Sequence, residues 1–348
     1  MKRLITFLPV FLFCFIGCDL NLDPVNYSLS DVTVISPKVK IESQGYWPDG
    51  KLCVVRKGSD FQMFWGEADS YRTTAATPYV EDHINLVLGE NKVFGKTSKE
   101  EKIPNINENG SWFIGVFPLN DSGHYVGFFH GESHWDSSGT AHKSIGVAYS
   151  EDYGSTWHDS APIIVDTPKA STPSWSGLGD GCVVRDEKNG RWVCYFQAPI
   201  GWGSNSLCMA VSYDDEGKSG TWYKWDGSDF TINAYDKETG KGGKNVALRN
   251  LNKVPGANPS VMWNTHLNKW LMAYASWGKR IYISQSEDGI NWSSPQQILG
   301  SDEHPAWYPN LISEEGDTIG GQTVQMYFSL DQNQWGVRKI GKYTITFE

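Results

Sequence analysis

Three acidic residues in this sequence stand where they could carry out acid–base chemistry. Asp49 (in PDGKL) and Asp180 (in GLGDGCVV) each precede a short apolar run, and Glu132 lies between two histidines in HGESH. Two carboxyl groups, one protonated and one ionised, are what cleavage of a glycosidic bond requires. Crowding like charges in a partly dry cleft raises the pKa of the carboxyl group that must stay protonated. We take Asp180 and Glu132 as the first candidate pair, with Asp49 as the third catalytic candidate.

Each of these carboxylates also has a purely structural interpretation. The glycines around Asp180 would let a ligand approach the backbone, but an aspartate in such a turn can equally bind neighbouring amides. The same alternative is stronger for Asp49, because Pro-Asp-Gly is itself a turn signature. For Glu132 the alternative is a solvated loop. The sequence leaves both interpretations open at all three positions.

Other polar and aromatic residues fall near the same predicted strand ends. Exposed tryptophans offer apolar faces to sugar rings, and the planar fork of Arg72 fits a substrate carboxylate, although it could equally pair with a nearby acid. The spacing of His130 and His134 on a loop carries little metal-site geometry, so we expect no metal and no cofactor. The candidate substrate-binding residues are Glu67, Asp69, Arg72, His130, His134, Trp135, Trp202, Asn258, Trp277 and Tyr308.

A repeated element has to position these candidates. A short apolar strand, a polar turn and an aromatic-rich strand recur five times, beginning near residues 49, 111, 180, 258 and 308. Three copies continue into a third strand, a Ser-x-Asp turn and a tryptophan: SIGVAYSEDYGSTW, LCMAVSYDDEGKSGTW and IYISQSEDGINW. The final stretch, GVRKIGKYTITFE, is interpreted as two strands without such a turn.

One such unit cannot bury both of its faces, so neighbouring units must stack. The repeats predict an all-β, five-bladed β-propeller of four-stranded antiparallel blades. A pair of β-sandwiches is the alternative, but it does not explain why the third-strand turn recurs. In a propeller each first strand starts, and each second strand ends, on the same side of the central channel. The candidate residues would therefore surround one funnel.

The stretch SEDYGSTW, residues 150–157, resembles the Asp-box of sialidases and related propellers. Residues 286–292 contain a shorter form and residues 212–222 a longer one. In this pattern the aspartate accepts N–H groups of its own turn, the glycine takes a positive φ, and the tryptophan covers the apolar layer between blades. We therefore interpret the motif as scaffold and not as a catalytic loop.

Residues from about 40 to 348 together resemble the five-bladed propeller glycoside hydrolases, the group that contains the family-43-type arabinosidases and xylosidases. The resemblance implies a glycosidase that acts on a glycan or oligosaccharide through acids near the innermost strands, where Asp180 and Asp49 stand. The second unit differs, because it opens with Glu108-Asn109-Gly110 and its acid Glu132 comes from a loop. A single suitably placed arginine, Arg72, argues against a true sialidase.

Two other classes of function stay open. The first is a surface glycan-binding lipoprotein that uses the same tryptophans without catalysis. The second is a polysaccharide lyase, in which a histidine or tyrosine abstracts a proton and Arg72 or Lys279 neutralises a uronate.

The N-terminus carries a targeting signal. Lys2 and Arg3 precede the apolar run LITFLPVFLFCFIGC, which is typical of a secretory signal peptide and not of a spanning helix. Its last four residues resemble the lipobox of bacterial lipoproteins, which implies cleavage before Cys18 and lipid on its thiol; a signal peptide cut elsewhere is the alternative. We predict a signal peptide over 1–17, a lipidated tether over 18–40 and a propeller over 41–348. The chain would be exported and anchored to a bacterial membrane, in the periplasm or at the cell surface.

The overall charge restricts the partners. The sequence carries a formal charge of −10, and loss of Lys2 and Arg3 makes it more acidic, which argues against nucleic acid as a partner. We expect a carbohydrate substrate and a monomer. Cysteines 53, 182, 194 and 208 lie in apolar surroundings without C-x-x-C spacing, which favours buried thiols. One disulfide is the alternative in an exported chain.

Overall fold

The computed structural model describes the propeller strands and most of the loops between them. The described residues are 23–35, 49–67, 69–84, 86, 92–94, 110–133, 142–166, 176–201, 204–276, 280–301, 304–330 and 339–348. Within these ranges the regular elements are almost all β-strands, with one short helix α1 (Val80–His83) and two 3-10 turns (Glu187–Asn189 and Leu251–Lys253). No helix in these ranges has the length and apolar character to cross a membrane.

The described strands form five sheets, which are the five blades of a β-propeller. The chain starts with β1 (Tyr27–Leu29) and β2 (Thr33–Ile35). Blade 1 contains β3 (Cys53–Lys57), β4 (Asp60–Glu67), β5 (Asp69–Ala75) and β6 (Lys92–Phe94). Blade 2 contains β7 (Gly110–Pro118), β8 (Tyr125–Ser133), β9 (His142–Ser150) and β10 (His158–Ile164), with β11 (Ser176–Gly177) added beside β9.

Blades 3 to 5 follow the same antiparallel order. Blade 3 contains β12 (Gly179–Asp186), β13 (Arg191–Gly201), β14 (Ser204–Ser212), β15 (Trp222–Trp225) and β16 (Phe230–Asn233). Blade 4 contains β17 (Ala257–Asn264), β18 (Lys269–Ser276), β19 (Arg280–Ser286) and β20 (Gln296–Leu299). Blade 5 contains β21 (Ala306–Ile312), β23 (Thr323–Leu330) and β24 (Lys339–Phe347), and β22 (Ile319–Gly320) pairs with β17 of blade 4. This arrangement confirms the predicted propeller and excludes the sandwich pair.

The N-terminal strands complete blade 5. Tyr27 to Leu29 pair with Phe347 to Ile345, and β2 pairs further along the same strand, β24. The sequence-based boundary at residue 41 is therefore wrong, because residues 27–35 belong to the propeller and not to a tether. The chain end was also interpreted wrongly as two strands: in the described residues it is the single strand β24, and the fourth strand comes from the other terminus.

Three first strands share an unusual backbone at their channel end. Asp180, Asn258 and Tyr308 have φ values of 45°, 50° and 49°, in the left-handed region that non-glycine residues rarely adopt. Each lies at a β-bulge where pairing with the second strand of its blade is interrupted. All three lie near the start of the first strand of their blade, and therefore at the same end of the channel. Strained residues of this kind cluster at functional sites.

Below these bulges the inner strands are linked from blade to blade. The Ser260 hydroxyl of blade 4 accepts a hydrogen bond from the Leu311 amide of blade 5 at 3.0 Å. The Asn310 side chain of blade 5 accepts one from the Leu52 amide of blade 1 at 2.7 Å. Backbone amides that no strand pair satisfies are thus bonded across the blade boundary, and this fixes the relative positions of the strand starts.

The Ser-x-Asp turns lie at the opposite end of the blades and have a structural role. The Asp152 carboxylate accepts the amides of Ser155 and Thr156 at 2.9 and 2.8 Å, and the Trp157 indole donates to the Gly154 carbonyl. Trp157 packs against Phe64 and Phe113 between blades 1 and 2. Along β9, Lys143 and Ser150 are separated by roughly 23 Å at about 3.3 Å per residue, so this turn lies far from the strand starts.

The four cysteines of the described chain, Cys53, Cys182, Cys194 and Cys208, are free and buried. Burial raises the pKa of the Cys53 and Cys194 thiols well above the ordinary value, so both stay protonated and act as small core residues.

Candidate active site

The three candidate carboxylates gather around one buried lysine at the channel end marked by the bulges. Lys143, the second residue of β9, donates to Asp180 Oδ2 at 2.8 Å and lies 4.0 Å from Glu132 Oε1. Its side chain is only 10% exposed. Burial would lower the pKa of Lys143, but Asp180 and Glu132, assisted by Asp49, outweigh that effect and raise it. Lys143 is therefore a charged centre shared by acids from three blades.

His130 connects Glu132 to the backbone of Asp180. The Asp180 amide donates to His130 Nδ1 at 2.9 Å, so this nitrogen carries no proton. The proton of the neutral ring must then lie on Nε2, which is 3.1 Å from Glu132 Oε1 and donates to it. The imidazole thus has one tautomer, set from both sides by its partners.

Asp180 is held in its ionised form. Burial alone would raise the pKa of Asp180, but the Lys143 ammonium and hydrogen bonds from Lys143 and Asn258 together lower it below the usual value. At neutral pH the residue is a carboxylate. It can accept a proton or stabilise positive charge, but it cannot donate a proton.

Asp49 is positioned from blade 2 by Trp112. The indole Nε1 donates to Asp49 Oδ2 at 3.2 Å, and the indole packs edge-on against His130 with 5.3 Å between ring centroids. A Cβ on Gly66 of β4 would lie 2.2 Å from the Trp112 ring, so only glycine permits this packing. Blade 2 therefore bridges the acids of blades 1 and 3, with Trp112 facing Asp49 and His130 facing Asp180.

The three carboxylates differ in access to solvent. The Asp180 side chain is 17% exposed, whereas that of Glu132 is 7% exposed and lies against His130 and Lys143. Asp49 is half-buried. A group that reacts with a substrate must contact it, so Asp180 and Asp49 are placed for contact and Glu132 is placed to support them.

The remaining predicted residues divide into three groups. Asn258 and Tyr308 lie at the corresponding bulges of blades 4 and 5, and Asp69 starts β5 at the same end of blade 1. Glu67 ends β4 there, although its side chain lies outside the described part of the structure. Residues outside the described ranges altogether are Cys18, His134, Trp135, Trp202, Trp277 and Lys279.

Arg72 does not face the funnel, and its predicted role there is wrong. Its Nη1 donates to the Tyr153 carbonyl at 2.7 Å and to the Ser155 hydroxyl at 2.8 Å. Both acceptors belong to the Ser-x-Asp turn of blade 2, at the other end of the blades. Arg72 lies in the middle of β5, and its long side chain extends to the neighbouring blade instead of the channel mouth.

Lys143 and Trp112 are not among the residues predicted from first-strand starts and second-strand ends. A third strand also starts on that side of the channel, because it is antiparallel to the second strand. Lys143 pairs directly with Glu132 across β8 and β9. A lysine at the start of the third strand was therefore the sequence feature that could have identified it. Trp112 carried no comparable signal within its apolar strand.

The sequence matches no protein-family model and no curated protein. Solved structures do share the fold. Zg3597, a family 117 glycoside hydrolase from Zobellia galactanivorans, has a TM-score of 0.55 at 10% identity, covering 92% of this chain and 91% of its own. A putative exo-β-1,3-galactanase from Bifidobacterium bifidum has a TM-score of 0.51 at 10% identity, covering 94% of both chains. An α-L-arabinanase mutant from Cellvibrio cellulosa has a TM-score of 0.50 at 9% identity, covering 83% of this chain and 89% of its own.

Proposed function

We propose that this protein is a glycoside hydrolase acting on a glycan or oligosaccharide at the channel end that holds Asp49, Glu132 and Asp180. One observation carries the proposal: acids from three blades, distant along the chain, meet around Lys143 at the mouth of one channel. Glycoside hydrolysis needs two carboxyl groups on either side of the bond to be cleaved. The similar solved structures are named as enzymes that act on glycans, which agrees with this assignment.

The geometry suggests how the work is divided. Asp180 supplies the ionised carboxylate, because Lys143 keeps its pKa low. Asp49, held by the Trp112 indole on the other side of blade 2, supplies the second carboxyl group of the pair. Glu132 does not contact substrate in this scheme. The proposed catalytic pair is therefore Asp180 and Asp49, in place of the pair Asp180 and Glu132 that was predicted from the sequence.

Amide substitutions test the proposal. The protein is screened for turnover of plant, algal and host glycans, and Asp180→Asn and Asp49→Asn are compared with the active protein. General acid–base groups contribute about 10² to 10⁴-fold, so each variant should lose at least about 10²-fold in kcat while sugar binding persists. The matched control is Asp159→Asn, whose side chain is 80% exposed and should keep full activity.

Three results would point to another function. Sugar binding without turnover by the unsubstituted protein would favour a glycan-binding lipoprotein. Products that absorb as unsaturated uronates would indicate a lyase. Full activity in both Asp180→Asn and Asp49→Asn would remove these residues from the reaction.

We also propose that the chain is exported and anchored by lipid at Cys18, and that the funnel faces away from the membrane. The Asp23 carbonyl accepts from Gln285 Nε2 at 2.8 Å, and the Val25 amide donates to Gln296 at 2.6 Å. Gln285 is the second-last residue of β19 and Gln296 starts β20, at the end of the blades opposite Asp180. Four residues lie between Cys18 and Asp23, so their Cα atoms can be at most about 18 Å apart.

Labelling and accessibility test this anchoring. Cells given radioactive palmitate should label the protein, and Cys18→Ala should abolish the label and release the protein from membranes. Label retained by Cys18→Ala would contradict the anchor. Glycan turnover by the anchored protein at the rate of the released form is expected if the funnel faces outward.

A further inference from the structure

The backbone of Asp180 has a strained conformation that neighbouring groups must stabilise. Its φ of 45° is rarely adopted by a residue with a side chain, and such a conformation costs on the order of 1–3 kcal/mol unless its surroundings enforce it. Three groups do so: His130 binds the amide at 2.9 Å, Lys143 binds the carboxylate at 2.8 Å, and Asn258 donates to the same carboxylate. The position of Asp180 therefore depends on residues from blades 2 and 4.

Two of these groups depend in turn on Glu132. The His130 Nε2 proton is donated to Glu132, which leaves Nδ1 free to accept the Asp180 amide. Glu132 also lies 4.0 Å from the Lys143 ammonium, and a buried ammonium needs such compensation. Gly179 completes the arrangement, because a Cβ there would lie 2.1 Å from His130 Nδ1.

From these contacts we propose that Lys143, Glu132 and His130 form a positioning unit that fixes the charge and the backbone of Asp180 without touching substrate. The proposal rests on the proposed hydrolase function only for its kinetic readout. Asp180 faces Lys143 on β9, His130 on β8 and Asn258 on β17. Lys143 also faces Glu132 on β8 and Asp49 ahead of β3.

The first experiment measures unfolding and needs no activity. Lys143→Met leaves Asp180 and Glu132 as neighbouring negative charges with no cation between them, so its unfolding midpoint in urea at pH 7 should fall. Adding Asp180→Asn should recover part of that loss, although Asp180→Asn alone should not stabilise the protein. Additive effects of the two substitutions would overturn the ion-pair part of the proposal. If Lys143→Met does not fold, Lys143→Ala with and without Asp180→Asn replaces it, and Lys143→Arg should fold because it keeps the charge.

The second experiment separates positioning from proton transfer at Glu132. Glutamine can still accept the His130 proton through its carbonyl oxygen but cannot transfer one, whereas leucine can do neither. Glu132→Gln should therefore retain kcat within about tenfold, with KM nearly unchanged, and Glu132→Leu should lose at least tenfold more. Equal losses of 10²-fold or more in both variants would show that Glu132 reacts directly and would overturn the proposal.

The pH profile supplies the third readout. Opposite charges within about 4–6 Å lower a carboxyl pKa by about 1–3 units. The acid limb of kcat/KM should therefore move upward by at least one pH unit in Lys143→Met and return towards the original position in Lys143→Arg. If the acid limb of the kcat/KM profile lies at the same pH in Lys143→Met as in the unsubstituted protein, the positioning role is contradicted. If no glycan is turned over by the unsubstituted protein, the proposed function fails, and the unfolding experiment still decides this inference.

Discussion

Lys143 and Asp180 form an ion pair with 2.8 Å between Nζ and Oδ2, across the boundary between blades 2 and 3. The pair joins the start of a third strand to the bulge of a first strand, two positions that share no local sequence signal. It shows that the candidate site is assembled between blades and not within one. Substitutions that disturb blade packing near this boundary should therefore affect the site.

Gly179→Ala should reduce activity without unfolding the protein. The new Cβ would lie 2.1 Å from His130 Nδ1 and displace the ring from the Asp180 amide. A displacement of about 1 Å at a reacting group costs on the order of 10²-fold in rate, and kcat measured on the best glycan should fall by that amount. Gly321→Ala, where nothing lies within 4 Å of the added Cβ, is the matched control and should keep full activity.

Arg72→Met should affect stability and leave substrate binding unchanged. The guanidinium joins blade 1 to the turn of blade 2 through Tyr153 and Ser155. Loss of charged hydrogen bonds costs about 1.5–3 kcal/mol in the free energy of unfolding, which urea denaturation would measure. A rise in KM of tenfold or more with unchanged stability would instead place Arg72 in contact with substrate.

Lys51→Met should strongly lower the free energy of unfolding of the protein. Lys51 Nζ lies 2.7 Å from Asp317 Oδ2, and both side chains are almost fully buried. Removing one partner leaves an uncompensated buried charge at a cost of about 3–5 kcal/mol. Lys188→Met, on an exposed residue of the 3-10 turn Glu187–Asn189, is the control and should change the free energy of unfolding by less than about 0.5 kcal/mol.

His83 should make the protein less stable as the pH falls. Its Nε2 donates to the Thr77 carbonyl at 2.8 Å and its Nδ1 accepts from the Thr73 hydroxyl at 2.7 Å, so the ring is neutral. Burial lowers the pKa of His83 below its ordinary value of 6.5. Below about pH 6.5 the unfolded chain gains a proton that the folded chain does not, and the free energy of unfolding decreases.

The measurement is the free energy of unfolding between pH 7.5 and pH 5. His83→Gln offers similar donors and acceptors without a titrating ring, so its stability should decline less over that interval. An identical decline in both proteins would assign the acid sensitivity to other groups.

The blade repeat was predictable because its signals are local. Alternating apolar strands, glycine-containing turns and the Ser-x-Asp pattern depend on contacts within a few residues, as the bonds of Asp152 with Ser155 and Thr156 show. The identity of the acids at Asp49 and Asp180 was also accessible, since each precedes an inner strand. These features follow from strand periodicity and turn chemistry.

The closing strand and the support of the site were decided by tertiary structure. Residues 27–29 pair with 345–347, across nearly the whole chain, and a short strand of three residues carries no sequence signal of its partner. Likewise nothing in HGESH indicates that Glu132 is buried beneath Lys143, or that Arg72 turns towards Tyr153. The sequence by itself determined the repeated strands of the blades and the acids at the starts of the inner strands, because those depend on neighbouring residues. Which acids face solvent, and which are held by a buried cation, was decided only when five blades closed into a ring, because burial and charge pairing depend on contacts between blades.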